Sequence, residues 1–184
     1  MKISYPHTIT NSEGEKIIFH GVQKDPDGDK VLVENFVTPG HGPAMHTHFL
    51  QDEALTVVSG KLGYLVLGQE ERYAHEGETV LFKRGVPHRF WNAGQDILNC
   101  QGWIKPANTI VFFLSAIYEA QNKSGKAEPE KFDSAYLLTR YGQEYDIYGI
   151  PKFVKKTVMP LTYMVGRMLG KYQHFADAPE PVKA

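Results

Sequence analysis

Cysteine and long apolar stretches are both scarce in this sequence, and each absence excludes a class of protein. Cys100 is the single cysteine in 184 residues, which excludes an internal disulfide framework and favours a reducing compartment. No run of about eighteen apolar residues occurs, so we expect no membrane span. Residues 1–7 lack the apolar stretch of a secretory signal. Together these absences predict a cytoplasmic protein.

Charge of either sign is not in excess. Lysine and arginine number 20 and aspartate and glutamate 21, a formal net charge of −1, which gives no reason to expect a nucleic-acid partner. Apolar residues make up 42% of the chain and charged residues 22%, as in an ordinary globular protein. The length suits one domain with an appendage rather than two domains.

Residues 1–106 are divided by Gly, Pro, Asn and Asp into short segments that are typical of β-strands. Turn signals such as Asp25-Pro26-Asp27-Gly28 and Glu76-Gly77 separate these segments. Many short strands at this spacing predict a sandwich or a barrel. The predicted strands are Lys16–His20, Val31–Thr38, Ala44–His48, Glu53–Ser59, Leu62–Leu67, Glu70–His75, Thr79–Lys83, His88–Asn92 and Ile97–Ile104.

Residues 107–184 contain few turn residues and are predicted to form a helical extension. Asn108 is a predicted N-cap, and the polar segment 125–131 is a predicted linker. We expect the extension to pack on the β-domain of residues 1–106 or on a second subunit. The predicted helices are Thr109–Gln121, Phe132–Gln143 and Phe153–Leu169, the last bent or restarted around Pro160.

Four side chains in the β-domain have the chemistry of a metal site. His46 and His48 stand two residues apart, which places both imidazoles on the same face of a strand. Glu53 begins the next strand after a short turn, and His88 begins a later one. Three imidazoles and one carboxylate form a mixed nitrogen and oxygen donor set, suited to one divalent ion of Fe, Mn, Ni, Co, Cu or Zn.

The spacing of these residues resembles the two sequence motifs of the cupin superfamily, over roughly residues 30–105. One departure occurs, because Lys83 stands where the family usually has proline; this bears on the local turn and not on the ligands. The first motif is Gly40, five residues, His46-x-His48, four residues, Glu53, six residues, Gly60. The second motif is Gly77, five residues, Lys83-x-Gly85-x-x-His88-x-x-x-Asn92.

The resemblance implies a mainly β fold, a double-stranded β-helix (jelly-roll) barrel, here with a C-terminal α-helical tail. It also implies that His46, His48, Glu53 and His88 bind one divalent metal ion. Cupins frequently dimerise by packing their barrel sheets, so the resemblance further implies a homodimer.

Strand alternation predicts which side chains surround this metal site. From Glu53, alternation turns Leu55 and Val57 inward, and from His88 it turns Phe90 and Asn92 inward. Tyr64, from a neighbouring strand, is a further candidate. Such a pocket is mainly apolar and aromatic, which suits a small organic ligand that has a metal-binding oxygen.

Three functions are compatible with this pocket, because a fold does not determine a function. The first is a metal-dependent oxidoreductase similar to small quercetin-dioxygenase-like cupins, with Glu53 as a catalytic base. The second is a non-catalytic module that binds a metal and a small ligand. The third is a metal-dependent isomerase or lyase, with proton transfer by Glu53 or by His41, which lies beside the first motif.

Overall fold

The computed structural model describes residues 3–183, and within them two antiparallel sheets face each other as a barrel. One sheet has the order β1-β2-β3-β10-β5-β8, and the other has the order β11-β4-β9-β6-β7. The strands are β1 (His7–Thr10), β2 (Glu15–Gln23), β3 (Lys30–Val37), β4 (His46–His48), β5 (Asp52–Ser59), β6 (Leu62–Val66), β7 (Arg72–Ala74), β8 (Thr79–Phe82), β9 (His88–Asn92), β10 (Leu98–Lys105) and β11 (Tyr145–Ile147).

The predicted mainly β fold is confirmed, and each of the nine predicted strands has a counterpart within a few residues. Two strands were not predicted. The sequence offers too little alternation to mark β1, and β11 has only three residues, in the stretch between two predicted helices. Both strands are held by hydrogen bonds to a neighbouring strand along their whole length: β1 pairs with β2, and β11 pairs with β4.

Alternating burial along the strands places the core between the two sheets. In β3, every second residue is buried, from Val31 through Val33 and Asn35 to Val37, as expected for a strand with one face on the core. In β5, Leu55 and Val57 are almost completely buried. The interior of the barrel is therefore mainly aliphatic, apart from a small number of polar side chains described below.

Three α-helices follow the barrel: α1 (Ile110–Ser124), α2 (Lys131–Arg140) and α3 (Met159–Met168). The predicted cap at Asn108 is wrong, since the N-cap is Thr109, whose hydroxyl donates to Glu144 at 2.9 Å instead of capping the helix. The predicted bend or restart at Pro160 corresponds to a local change of helix type, without a break in the helix. A π-helical turn over Val154–Val158 precedes α3, where proline has no N–H to donate.

The helical extension also contributes to the barrel, because β11 lies on the edge of the second sheet beside β4. The division into residues 1–106 and 107–184 stays a prediction. None of the helices in residues 3–183 has both the length and the apolar character that crossing a bilayer requires.

Candidate metal centre

The two sheets bring the four predicted ligands together inside the barrel. His46 and His48 lie on β4, and His88 lies on the neighbouring strand β9, directly opposite His46. Glu53 comes from β5 in the other sheet. One nitrogen or carboxylate oxygen from each of the four residues lies within 4.8 Å of the others. The site therefore forms where the inner faces of the sheets meet.

Backbone carbonyls set the tautomers of two of the imidazoles. His46 Nδ1 lies 2.8 Å from the carbonyl oxygen of Ala44, and His88 Nδ1 lies 2.9 Å from that of Val86. Because a carbonyl only accepts hydrogen bonds, Nδ1 carries the proton in both rings, and Nε2 presents a lone pair. Such hydrogen bonds also orient metal-ligating histidines.

The Nε2 atoms of His48 and His88 face the carboxylate of Glu53, and no hydrogen-bond donor lies between them in residues 3–183. His88 Nε2 is buried and has no hydrogen-bond partner in residues 3–183, while Glu53 Oε2 lies 3.5 Å away. His48 Nε2 lies 3.8 Å from the same oxygen. Buried acceptors are rarely left unpaired, and the missing partner of such a set is a cation. The donor set therefore fits a divalent metal ion.

The electrostatics of the cluster favour the protonation states that a metal requires. Burial lowers the pKa of His46 to about 3 and of His48 to about 4, so both imidazoles are neutral at neutral pH. Burial alone would raise the pKa of Glu53, but the imidazoles of His88 and His48 outweigh it and hold the pKa at about 2. The cluster thus combines neutral nitrogen ligands with one carboxylate anion.

Turns at the barrel end hold the ligand strands in place. The N–H of Gly85 donates to the carbonyl of His48 at 2.7 Å, and its φ of +76° requires a residue without a Cβ. Arg84 binds both oxygens of Asp52, beside Glu53, at 3.3 and 3.0 Å. These contacts fix the turn before β9 to both β4 and β5, and Lys83 takes the family's proline position without disturbing them.

Aromatic and polar side chains enclose the histidines. The ring of His88 stacks on Phe82, with 4.3 Å between centroids, and the ring of His48 meets the edge of Tyr145 at 5.7 Å. The Tyr145 hydroxyl accepts a hydrogen bond from Gln51 Nε2 at 3.0 Å and lies 3.2 Å from the Thr109 hydroxyl. Tyr145 was not predicted from the sequence, because no motif marks it and it reaches the site only through the pairing of β11 with β4.

A cavity of about 960 Å³ opens from the metal centre towards the helices. His46, His48 and Glu53 line it, whereas His88 lies outside the lining. Its walls come from the first sheet, from α1 and from the segment that leads into α3. The apolar lining includes Ile17, Val33, Phe90, Ile104, Ile110, Phe113, Leu114, Ile117, Ile150, Val154, Val158 and Met159. A largely apolar chamber of this size is typical of a small-molecule site.

The predicted pocket residues take different places. Phe90 lines the cavity, and so does the exposed His41. Leu55 and Val57 point inward but belong to the packed core, and Tyr64 packs edge-on against Phe82 at 6.1 Å.

The side chain of Asn92, the fifth predicted pocket residue, forms hydrogen bonds with the backbone. Its amide nitrogen donates to the carbonyls of Val37 and Asp96, both at 2.7 Å. Its amide oxygen accepts from the N–H of Gly94 at 2.8 Å. These bonds leave its side chain engaged at the end of the barrel, so of the five predicted substrate contacts only Phe90 faces the cavity.

Comparison with known families identifies the barrel. Residues 36–100 match the family model described as the Cupin domain, a range that contains all four clustered residues. The chain therefore carries a cupin domain, and the resemblance in its motifs is confirmed. Comparison with curated proteins gives no significant match.

Solved structures share the barrel at low identity. A conserved protein with a double-stranded β-helix domain from Klebsiella pneumoniae is 21% identical over 59% of this chain and 80% of its own, with a TM-score of 0.43. A recombinant oxalate oxidase in complex with glycolate is 20% identical over 54% and 56%, with a TM-score of 0.45. A DMSP lyase from Ruegeria pomeroyi is 18% identical over 42% and 38%, with a TM-score of 0.38. Similarity at this level carries no argument about activity.

The first prediction concerns metal content. Wild-type protein is expected to hold about one equivalent of a divalent metal, and His48→Ala to bind it roughly 100-fold more weakly or worse, because it loses a ligand. Elemental mass spectrometry after reconstitution and desalting measures both. His75→Ala, which removes an exposed histidine, is the control and should retain the metal. Equal metal contents in wild type and His48→Ala would contradict the assignment.

Proposed function

We propose that the protein is a metal-dependent oxidoreductase, dioxygenase-like in its chemistry, which acts on a small apolar or aromatic organic molecule. The observation that carries this proposal is the convergence of three imidazoles and one carboxylate at the wall of an apolar cavity. His46, His48, Glu53 and His88 would hold one ion of Fe, Mn, Ni, Co, Cu or Zn. When bound, a redox-active ion supplies Lewis acidity and electron transfer towards oxygen.

Glu53 is the proposed catalytic residue. Its carboxylate lines the cavity, and its low pKa keeps it deprotonated at neutral pH. A phenol or enol hydroxyl in the cavity can therefore donate a hydrogen bond to Glu53. Because a carboxylate with so low a pKa is a weak base, it would accept the substrate proton only from a hydroxyl made more acidic, as a bound metal ion would make it. The proton acceptor and the metal ligands thus face the same end of the chamber.

The apolar walls orient the substrate. Phe90, Phe113 and Tyr145 supply aromatic surface around the part of the cavity that contains the histidines. An apolar or aromatic molecule with one ionisable oxygen matches these walls better than a sugar phosphate does.

Oxygen uptake tests the proposed reaction. Protein reconstituted with Fe(II) is expected to consume oxygen with a phenolic flavonol such as quercetin or with a β-diketone such as pentane-2,4-dione. An oxygen electrode measures the rate, and His48→Ala should lower it at least 100-fold while His75→Ala leaves it unchanged.

Two other outcomes would replace this proposal. Turnover of the same compounds without oxygen would indicate an isomerase or lyase. Saturable binding of the compounds without any turnover would indicate a module that only binds a metal and a ligand. Either outcome leaves the metal centre in place and changes the reaction assigned to it.

We also propose that the protein is a cytoplasmic homodimer. The outward face of α3 presents Leu161, Met164, Val165 and Met168 at the spacing of one helical stripe, and Met168 is 85% exposed. The opposite face packs through Gly166, where an added Cβ would meet the ring of Tyr172. An exposed apolar stripe of this kind is typical of a subunit interface.

The oligomeric state checks this second proposal. Wild type is expected to be a dimer in multi-angle light scattering, and Leu161→Glu with Met168→Glu to be a monomer, because the charges cannot be buried at an interface. Leu67→Glu changes a similarly exposed leucine on the barrel and should stay dimeric. A wild-type monomer at micromolar concentration would refute the homodimer.

A further inference from the structure

The cavity has a second group of buried polar side chains, contributed by elements other than the ligand strands. Glu15 lies on β2, Asn35 on β3 and Tyr118 on α1, and all three line the cavity. They are 7%, 6% and 6% exposed, respectively. Ile17 pairs with Asn35, and Glu15 pairs with Val37, so Glu15 and Asn35 are diagonal neighbours on the same face of the sheet.

This group lies at a distance from the histidines. Glu53 is level with Ile104 and Val31 across the sheet, whereas Glu15 is level with Val37, six residues further along β3. Six residues correspond to about 20 Å of strand, which is an upper limit for the separation along the sheet. Burial raises the pKa of Tyr118, and the charge of Glu53 is among the further causes.

Glu15 is a buried carboxyl group without a cation. Tyr118 Oη donates to Glu15 Oε2 at 2.7 Å, and Asn11 Nδ2 donates to Oε1 at 3.2 Å. No nitrogen of a lysine, arginine or histidine in residues 3–183 lies within 4.0 Å of this carboxyl group. Burying a carboxylate is costly unless it is fully paired, and each of its oxygens can accept more than one hydrogen bond.

Asn35 is the independent observation that points to a ligand. Its side chain is more than nine-tenths buried and faces the cavity, yet its amide has no hydrogen-bond partner in the described part of the chain. The amide is therefore open to the cavity, where a ligand can form the hydrogen bonds that the side chains of residues 3–183 do not supply. The surrounding wall is apolar, with Ile17 and Val33 on the strands beside it.

The charge of the lining indicates which ligand group fits. Glu13 and Glu128 also line the cavity, and Lys131 is the one lysine or arginine in the lining among residues 3–183. An anionic group would be repelled from this wall, whereas a hydrogen-bond donor would complete the free acceptor positions of Glu15 and Asn35.

We propose that Glu15, Asn35 and Tyr118 form a second polar anchor, which holds the hydrogen-bond-donating end, an alcohol or a protonated amine, of an otherwise apolar ligand. This inference rests on the proposed function, because the other end of the same ligand is the one that reaches the metal centre. The substrate class then narrows to elongated apolar molecules with a polar group at each end, and anions at the second end are excluded.

Isothermal titration calorimetry with three probes of equal chain length tests the anchor. Decylamine, 1-decanol and decanoate are titrated into metal-reconstituted wild type, Glu15→Gln and Asn35→Ala. We expect each variant to bind decylamine or decanol about tenfold more weakly than wild type does. The affinity for decanoate should stay unchanged or increase. Any contact between a probe and the metal is common to all three proteins and cancels in the comparison. If the variants bind only decylamine more weakly, the anchor is an amine site. If they bind decanol more weakly, it is a hydroxyl site.

Control variants separate the anchor from general electrostatics and from the metal. Glu128→Gln removes the same charge from the cavity lining at an exposed position, and it should not reproduce the effect. The anchor would be refuted if Glu128→Gln changed the probe affinities as much as Glu15→Gln does. It would also be refuted if neither Glu15→Gln nor Asn35→Ala changed the affinity for any probe. Metal content measured on each sample keeps the two proposals distinct. If the protein holds metal but the variants bind the probes as wild type does, only the anchor is refuted. If the variants bind decylamine or decanol more weakly but no sample binds metal, only the metal proposal is refuted.

Discussion

The face-to-face packing of the two sheets is the constraint on which the candidate site depends. It carries three imidazoles from one sheet to within a few ångströms of a carboxylate from the other, at the wall of a cavity. His46 and His88 have their donor nitrogens occupied by backbone carbonyls, so only acceptors face this point. Neutral imidazoles and an anionic Glu53 follow from burial and proximity. A bound cation would satisfy these acceptors, and no lysine or arginine side chain in residues 3–183 forms an ion pair with Glu53.

The helical extension forms part of the wall of the cavity that opens from the candidate metal centre. Strand β11 extends the sheet of the histidines and places Tyr145 beside His48. Helix α1 and the segment leading into α3 then form the apolar walls of the cavity. Because these walls come from a part of the chain outside the two motifs, the motifs alone do not determine the size and polarity of the chamber. The buried Glu15 and the unpaired Asn35 belong to this chamber rather than to the metal centre.

The parts of the structure that depend on local spacing could be predicted from the sequence. Side chains two positions apart on a strand share a face, which places His46 and His48 together, and turn residues mark nearly every strand of the barrel. Alternation also predicted correctly that Leu55 and Val57 point inward, but inside a barrel an inward side chain can join the core instead of a cavity. Tyr145 and Glu15 escaped prediction, because their positions depend on pairing and helix packing between segments distant in the sequence.

Anomalous diffraction from crystals of the zinc-reconstituted protein tests the central claim most directly. Data collected on both sides of the zinc absorption edge locate the ion independently of any assay. The account predicts one strong anomalous peak between the sheets, at roughly 2.0–2.2 Å from a nitrogen of His46, His48 and His88 and from the carboxylate of Glu53. A peak confined to surface histidines, or no peak between the sheets, would contradict it.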